Sequence, residues 1–245
     1  MVTLKQEGYK KMKNFSNTYI FIFSFIMVVI VALLLSLAAM QLKPFQDKNI
    51  EVEKKQNILA SIRIKSTVKD AVDLYARYIT DSYVINNKGE KQEGIAFNVD
   101  LKKELGKPAT ERILPVFIGT LDDQTNAYVM PLRGKGLWGP IWGYISFKPD
   151  MNTVYGVIFD HQGETPGLGA EISTEWFQKP FFGKTIFKDS THFVSVKVIK
   201  GGAPKDDPHA VDAISGGTIT SKALEAMLDS CLIQYKPYFI KNRHK

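Results

Sequence analysis

Residues 212–221 read Asp-Ala-Ile-Ser-Gly-Gly-Thr-Ile-Thr-Ser and lead into an apolar periodic run at 222–235. The run predicts a helix, so the stretch before it is a helix entrance. Gly216 and Gly217 leave backbone N–H groups open, and Ser215, Thr218, Thr220 and Ser221 place four hydroxyls around them. The first turn of a helix carries unpaired donors and the positive end of the dipole, so it suits a phosphate. The same stretch also suits an ordinary capped loop, because Ser and Thr cap helices well.

Working toward the N-terminus, short β-branched or alternating runs fall at 113–120, 127–132, 141–147, 154–160 and 192–199. Turn residues separate them, which predicts strands. Residues 200–208 form a Gly/Pro/Asp loop. A short helix capped by Ser173 is expected at 173–178. Residues 48–79 carry Ile58, Ile62, Val68, Val72, Tyr75 and Ile79 at helical spacing and read as one linker helix. The last helix is expected to stop near Pro237. The mixture predicts an α+β fold with an antiparallel or mixed sheet flanked by helices.

Residues 14–42 contain no charge, and Pro44 follows. A helix needs roughly 20 apolar residues to cross ~30 Å of hydrocarbon, and this run is long enough. A cleaved signal peptide is the competing reading, with small residues near Ser36 and Ala38, but a signal core is usually ~7–15 residues. The expected organisation is a cytoplasmic tail at 1–13, a transmembrane anchor at 14–42, a helical linker at 43–82 and an extracytoplasmic domain at 83–245. Lys5, Lys10, Lys11 and Lys13 favour a cytoplasmic N-terminus, although lysines after the span weaken that signal.

The net charge of +7 lies in the first 13 and last ten residues, and the remainder is neutral. These ends suit lipid head groups or partner subunits. No basic stripe supports nucleic-acid binding. The single cysteine, Cys231, forms no internal disulfide and reads as a small buried residue. The four histidines lack metal-ligand spacing.

Two more segments bear on function: Gly134-Lys135-Gly136-Leu137-Trp138-Gly139, continuing through Pro140, Ile141 and Trp142, and Gly163-Glu164-Thr165-Pro166-Gly167-Leu168-Gly169. Taken alone, the first fits a hairpin and the second a tight turn. Asp160, His161 and Glu164 flank the second without requiring acid–base chemistry.

The order Ser-Gly-Gly-Thr resembles the Ser/Thr-Gly-Ala-Thr motif of FMN-binding domains that carry flavin on a threonine. All three segments in order resemble the C-subunit family of bacterial sodium-translocating NADH:quinone reductases, over nearly the whole chain. The resemblance implies one covalent FMN, joined to Thr218 by a phosphodiester. It also implies a cofactor site drawn from Ser215, Gly216, Gly217, Thr220, Leu137, Trp138, Gly139, Thr165, Gly167, Leu168 and Gly169. Leu137, Trp138 and Leu168 would cover the ring. Thr165 and the backbone at Gly167 and Gly169 would meet its polar edge or phosphate. Gly217 stands where the family usually has Ala; it leaves room but loosens the loop.

By the same resemblance, the chain relays single electrons during NADH oxidation, quinone reduction and sodium export and is not catalytic alone. It would sit in the bacterial inner membrane beside the B, D and E subunits, with A and F in the same complex. A separate flavin transferase would load it. Two alternatives stand beside this reading. One is the related G subunit of Rnf-type electron-transport complexes; the other is an anchored binding protein with no redox role.

Overall fold

The computed structural model describes residues 16–243, so the basic tail expected at 1–13, and the first residues of the anchor, lie outside the described part. Two compact units are present, one running to Ile50 and one from Glu51. The first is the bulk of helix α1 (Asn17–Ser61), whose most apolar stretch has a mean hydropathy of 3.1 and is exposed throughout. Among the described residues, it is the one helix long and apolar enough to cross a membrane. Pro44 lies inside α1 and does not end it.

The linker read as one helix over 48–79 is broken. Helix α1 closes at Ser61, residues 62–70 are irregular, and α2 (Ala71–Tyr78) runs directly into strand β1 (Ile79–Ile85). Arg63 ends α1 in the left-handed conformation, φ 62°. Ile64 N–H donates to the Leu59 carbonyl at 3.0 Å and Arg63 N–H to the Ala60 carbonyl at 2.9 Å. This is the Schellman closure, usually built on glycine. The Arg63 guanidinium lies over the Tyr155 and Phe182 rings, 4.5 and 4.2 Å from their centroids, and these contacts offset the strain. Arg carries no helix-stop signal, so periodicity runs past it.

Strands β1, β2 (Lys91–Gln92), β3 (Leu114–Thr120), β4 (Asn126–Lys135), β5 (Pro140–Phe147) and β6 (Val154–His161) form one antiparallel sheet, ordered β2-β1-β3-β4-β5-β6. Short helix α3 (Leu101–Leu105) precedes β3, its first turn held by Asp100, which accepts from Lys102 N–H. Alternation divides the sheet residues between two cores. Phe117, Ala127, Val129 and Tyr144 join Ile58 and Leu59 from the end of α1 and Ile62 just past it. Met130, Leu132, Ile145 and Phe147 join Leu224, Leu228, Leu232 and Phe239.

Helix α4 spans Glu175–Gln178 and is not capped by Ser173, whose hydroxyl turns back to the Ala170 carbonyl at 2.9 Å. The strand expected at 192–199 shrinks to β7 (Lys197–Ile199), parallel to β8 (Ala210–Asp212), because Ser195 adopts φ 60°. Helix α5 (Thr218–Asn242) continues through Pro237. A proline inside a helix costs ~3 kcal/mol. Beyond it, Tyr238 and Phe239 are buried, and burying one such ring returns about 1.5–3 kcal/mol. Two rings therefore match or outweigh one proline.

Leu59→Ala is expected to lower the unfolding free energy by about 2–5 kcal/mol, whereas Leu35→Ala, on the exposed part of α1, should change it by less than about 0.5 kcal/mol. Urea unfolding of the detergent-solubilised chain, followed by tryptophan fluorescence, measures both.

Candidate functional site

Strands β4 and β5 close through a tight hairpin in which Gly136 N–H donates to the Gly139 carbonyl at 2.7 Å. Leu137 and Trp138 form its tip and remain 47% and 70% exposed. After β6, the chain folds back on itself at 163–169: Leu168 N–H and Ala170 N–H both donate to the Thr165 carbonyl at 3.1 Å. Gly167 takes φ 75° there, and its N–H donates to Glu171.

The third component is the start of α5. Its first intrahelical bond runs from Ser221 N–H to the Gly217 carbonyl at 2.9 Å, so the N–H groups of Thr218, Ile219 and Thr220 have no acceptor within the helix. No side chain caps this end. Thr218 is the first helical residue and is half-buried. Gly216 reaches the entrance with φ 75°, and a Cβ there would stand 2.7 Å from Leu168 Cδ2.

These three segments enclose a cavity of about 260 Å³ lined by Leu137, Trp138, Glu164, Thr165, Leu168, Gly169, Gly216, Gly217, Thr218, Ile219 and Thr220. Of the site residues expected from sequence, Leu137, Trp138, Thr165, Leu168, Gly169, Gly216, Gly217, Thr218 and Thr220 thus come together. Ser215, Gly139 and Gly167 do not line it. Gly139 closes the hairpin, Gly167 shapes the turn, and Ser215 is exposed beside the entrance. Ile219, which the motif does not single out, is 60% exposed at the mouth.

The larger omission is Glu164, which is only 5% exposed. One carboxylate oxygen accepts from Trp138 N–H at 3.0 Å and the other from the Thr220 hydroxyl at 2.5 Å. The Thr220 hydroxyl is therefore committed to Glu164. Glu164 N–H in turn donates to His161 Nδ1 at 3.2 Å, so His161 braces the turn from outside the cavity. Neither contact has a spacing signature in the sequence.

The walls fit a flat, partly apolar ring bearing a phosphate: indole and leucine side chains on the flanks, helix N–H donors and a hydroxyl at one end, and glycines where a Cβ would intrude. The comparisons agree. The FMN-binding domain family matches residues 136–233. The C subunit of the Na(+)-translocating NADH-quinone reductase of Vibrio vulnificus is 31% identical over 233 residues, covering 88% of this chain and 91% of that protein. The corresponding Haemophilus ducreyi protein is 34% identical over 218 residues, 80% of this chain and 82% of that one. The crystal structure of the same subunit from Parabacteroides distasonis superimposes with a TM-score of 0.75 at 46% identity, covering 81% of this chain and 96% of that chain. The chain belongs to the family of Na(+)-translocating NADH-quinone reductase C subunits.

Glycine positions in the site separate into two kinds. At Gly169 a Cβ would lie 2.4 Å from both Glu164 Oε2 and Thr220 Oγ1. At Gly217 it would lie 2.9 Å from Ile214 Cγ2 and 3.1 Å from the Leu168 carbonyl carbon, with φ at −99°. Gly169→Ala is expected to destabilise the chain by about 1–3 kcal/mol. Gly217→Ala, toward the residue usual in the family, should stay within about 1 kcal/mol, since the loss of chain entropy in the unfolded state offsets the tight contact. Thermal unfolding of the flavin-free chain checks both.

Proposed function

We propose that this member of the C-subunit family holds FMN on Thr218 through a phosphodiester bond and relays single electrons within its membrane complex. The carrying observation is the position of Thr218: at the first turn of α5, on the wall of a cavity whose other sides are Leu137, Trp138 and Leu168. Bound there, the flavin supplies one-electron redox chemistry, and the chain supplies orientation and electrostatics.

The roles of the residues follow from their chemistry. The N–H groups of Ile219 and Thr220, with the helix dipole, favour the phosphate charge. Trp138 and Leu137 cover one side of the ring and Leu168 another. Thr165 meets a polar edge. Gly216 permits the loop to reach the helix without a side chain between Leu168 and the entrance.

Loading needs an outside catalyst, because a threonine hydroxyl is a weak nucleophile at neutral pH. A flavin transferase using FAD and magnesium fits. The Thr218 oxygen bonds to the FMN phosphorus, the bond joining FMN to AMP breaks, AMP leaves, and the hydroxyl proton passes to a base of the transferase. The relay connects redox centres in neighbouring subunits: an iron centre held by D and E on one side and a flavin on B on the other. NADH oxidation, quinone reduction and sodium export belong to the assembled complex with A and F. Helix α1 is the membrane anchor, with the basic N-terminus in the cytoplasm and the flavin domain on the outer face of the inner membrane. The length of the apolar run supports the span, and the four lysines before it support the orientation.

The intact mass of the chain, purified after co-expression with a flavin transferase, tests the linkage. The wild type is expected to carry one FMN-sized increment and to fluoresce in a denaturing gel. Thr218→Val keeps the shape, removes the hydroxyl and should abolish both signals. A wild-type chain without the increment, or a Thr218→Val chain that retains it, overturns the reading.

A further inference from the structure

We propose that Glu164 is the positioning residue of this site. Its carboxylate sets the distance between the wall that carries Trp138 and the helix turn that carries Thr218. The proposal rests on the FMN reading above, and it concerns how this chain's own residues hold the site open.

Three segments distant in sequence meet at this one side chain. Oε1 accepts from the amide of Trp138 at the hairpin tip, and Oε2 accepts from the hydroxyl of Thr220 in the first turn of α5. Glu164 itself belongs to the turn that carries Thr165 and Leu168. All three segments line the cavity. A buried carboxylate is costly unless its oxygens are hydrogen-bonded, so a glutamate 5% exposed, with a donor on each oxygen, is held in a specific geometry.

The backbone around it is shaped for the carboxylate. A Cβ at Gly136 would stand 2.4 Å from Glu164 Oε1, and one at Gly169 would stand 2.4 Å from Oε2. At both positions the missing Cβ leaves room for the Glu164 carboxylate. Neither hydrogen bond engages Thr218 itself. Glu164 acts through Trp138 and through Thr220, which shares a helical turn with Thr218, and so fixes the slot between ring wall and ester oxygen before flavin arrives.

The test uses the full-length chain in detergent, incubated with flavin transferase, FAD and magnesium. Loading is followed by intact mass, and the anisotropy of flavin fluorescence is read on the loaded protein. Glu164→Gln can accept from Trp138 N–H and donate to the Thr220 oxygen, so it should load at close to the wild-type rate. Glu164→Ala takes the acceptor from the Trp138 amide and leaves the Thr220 hydroxyl buried without it; it should load about tenfold more slowly, the scale of one lost buried hydrogen bond. What it loads should show lower anisotropy, as the ring is no longer held against Trp138. Thr220→Val removes one of the two bonds without opening a cavity and should fall between these. Leu59→Ala, which weakens the core cluster that excludes the site residues, should load normally and so separates positioning from general destabilisation.

A wild-type chain that takes no FMN defeats the functional reading. If the wild type loads and a folded Glu164→Ala matches it in rate and anisotropy, the positioning role is wrong. If Glu164→Ala does not fold, Thr220→Val decides: wild-type rate and anisotropy there overturn the proposal equally.

Discussion

The constraint on which the site depends is the place where β4 parts from β3. The two strands pair from Thr120 and Asn126 up to Phe117 and Val129, and β4 then continues alone on that side to Lys135. Pro131 lies in this unpaired part and has no N–H to leave unsatisfied. Helix α5 fills the gap. Arg133 N–H donates to Cys231 Sγ at 3.5 Å, and the Cys231 thiol donates to the Arg133 carbonyl at 3.3 Å. The Tyr235 hydroxyl donates to the Pro115 carbonyl at 3.0 Å. Burial pushes the Cys231 thiol above its ordinary range, so the lone cysteine serves the strand edge as a neutral polar group. Gly134 admits Met227 where a Cβ would stand 2.7 Å from the Met227 Cβ. Met227, Cys231 and Tyr235 meet residues progressively farther from the hairpin tip. The direction of α5 is thereby fixed, and its first turn must fall beside Leu137 and Trp138.

Once the helix entrance is beside the hairpin, the turn at 163–169 has to fit between them. Glycine does this by giving up volume to other side chains of the protein. Gly136 and Gly169 yield to Glu164, and Gly216 yields to Leu168. Gly167 is needed purely for its backbone angle, since a Cβ there would meet nothing within 4 Å. A glycine-rich motif is often read as room left for a ligand. In this domain most of that room is already occupied by the residues that hold the ligand's walls apart.

The difference between what the sequence disclosed and what it hid follows the range of the interactions. Strands β3 to β6 were legible because each alternates between two buried faces, and such alternation is a local pattern. The start of α5 was legible because glycines and hydroxyls punctuate it. The end of α1 was not: an arginine takes the place of the usual glycine, and its strain is offset by Tyr155 and Phe182, roughly a hundred residues away. The end of α5 was masked in the opposite sense, a proline overruled by two buried rings. Glu164 stood in plain view between Gly163 and Thr165, yet its partners lie 26 and 56 residues off, and only the folded sheet brings them to it. Resemblance named candidate residues; packing decides which of them face one cavity.

The size of the cavity bears on the covalent link proposed for this chain. Pockets that bury most of a drug-sized ligand usually run to about 300–1,000 Å³. A cavity of about 260 Å³, with Trp138, Leu168 and Ile219 all substantially exposed at its mouth, encloses a flavin only in part. Partial enclosure limits non-covalent affinity, because less apolar area leaves water and fewer polar groups are matched. It would also leave part of the ring open to the surroundings, as the proposed electron relay between subunits would require. A fully enclosing pocket would retain FMN by contact alone and insulate it from its redox partners. The ester proposed at Thr218 would remove the conflict: occupancy would no longer depend on contact area or on free FMN, and the walls would be free to set orientation.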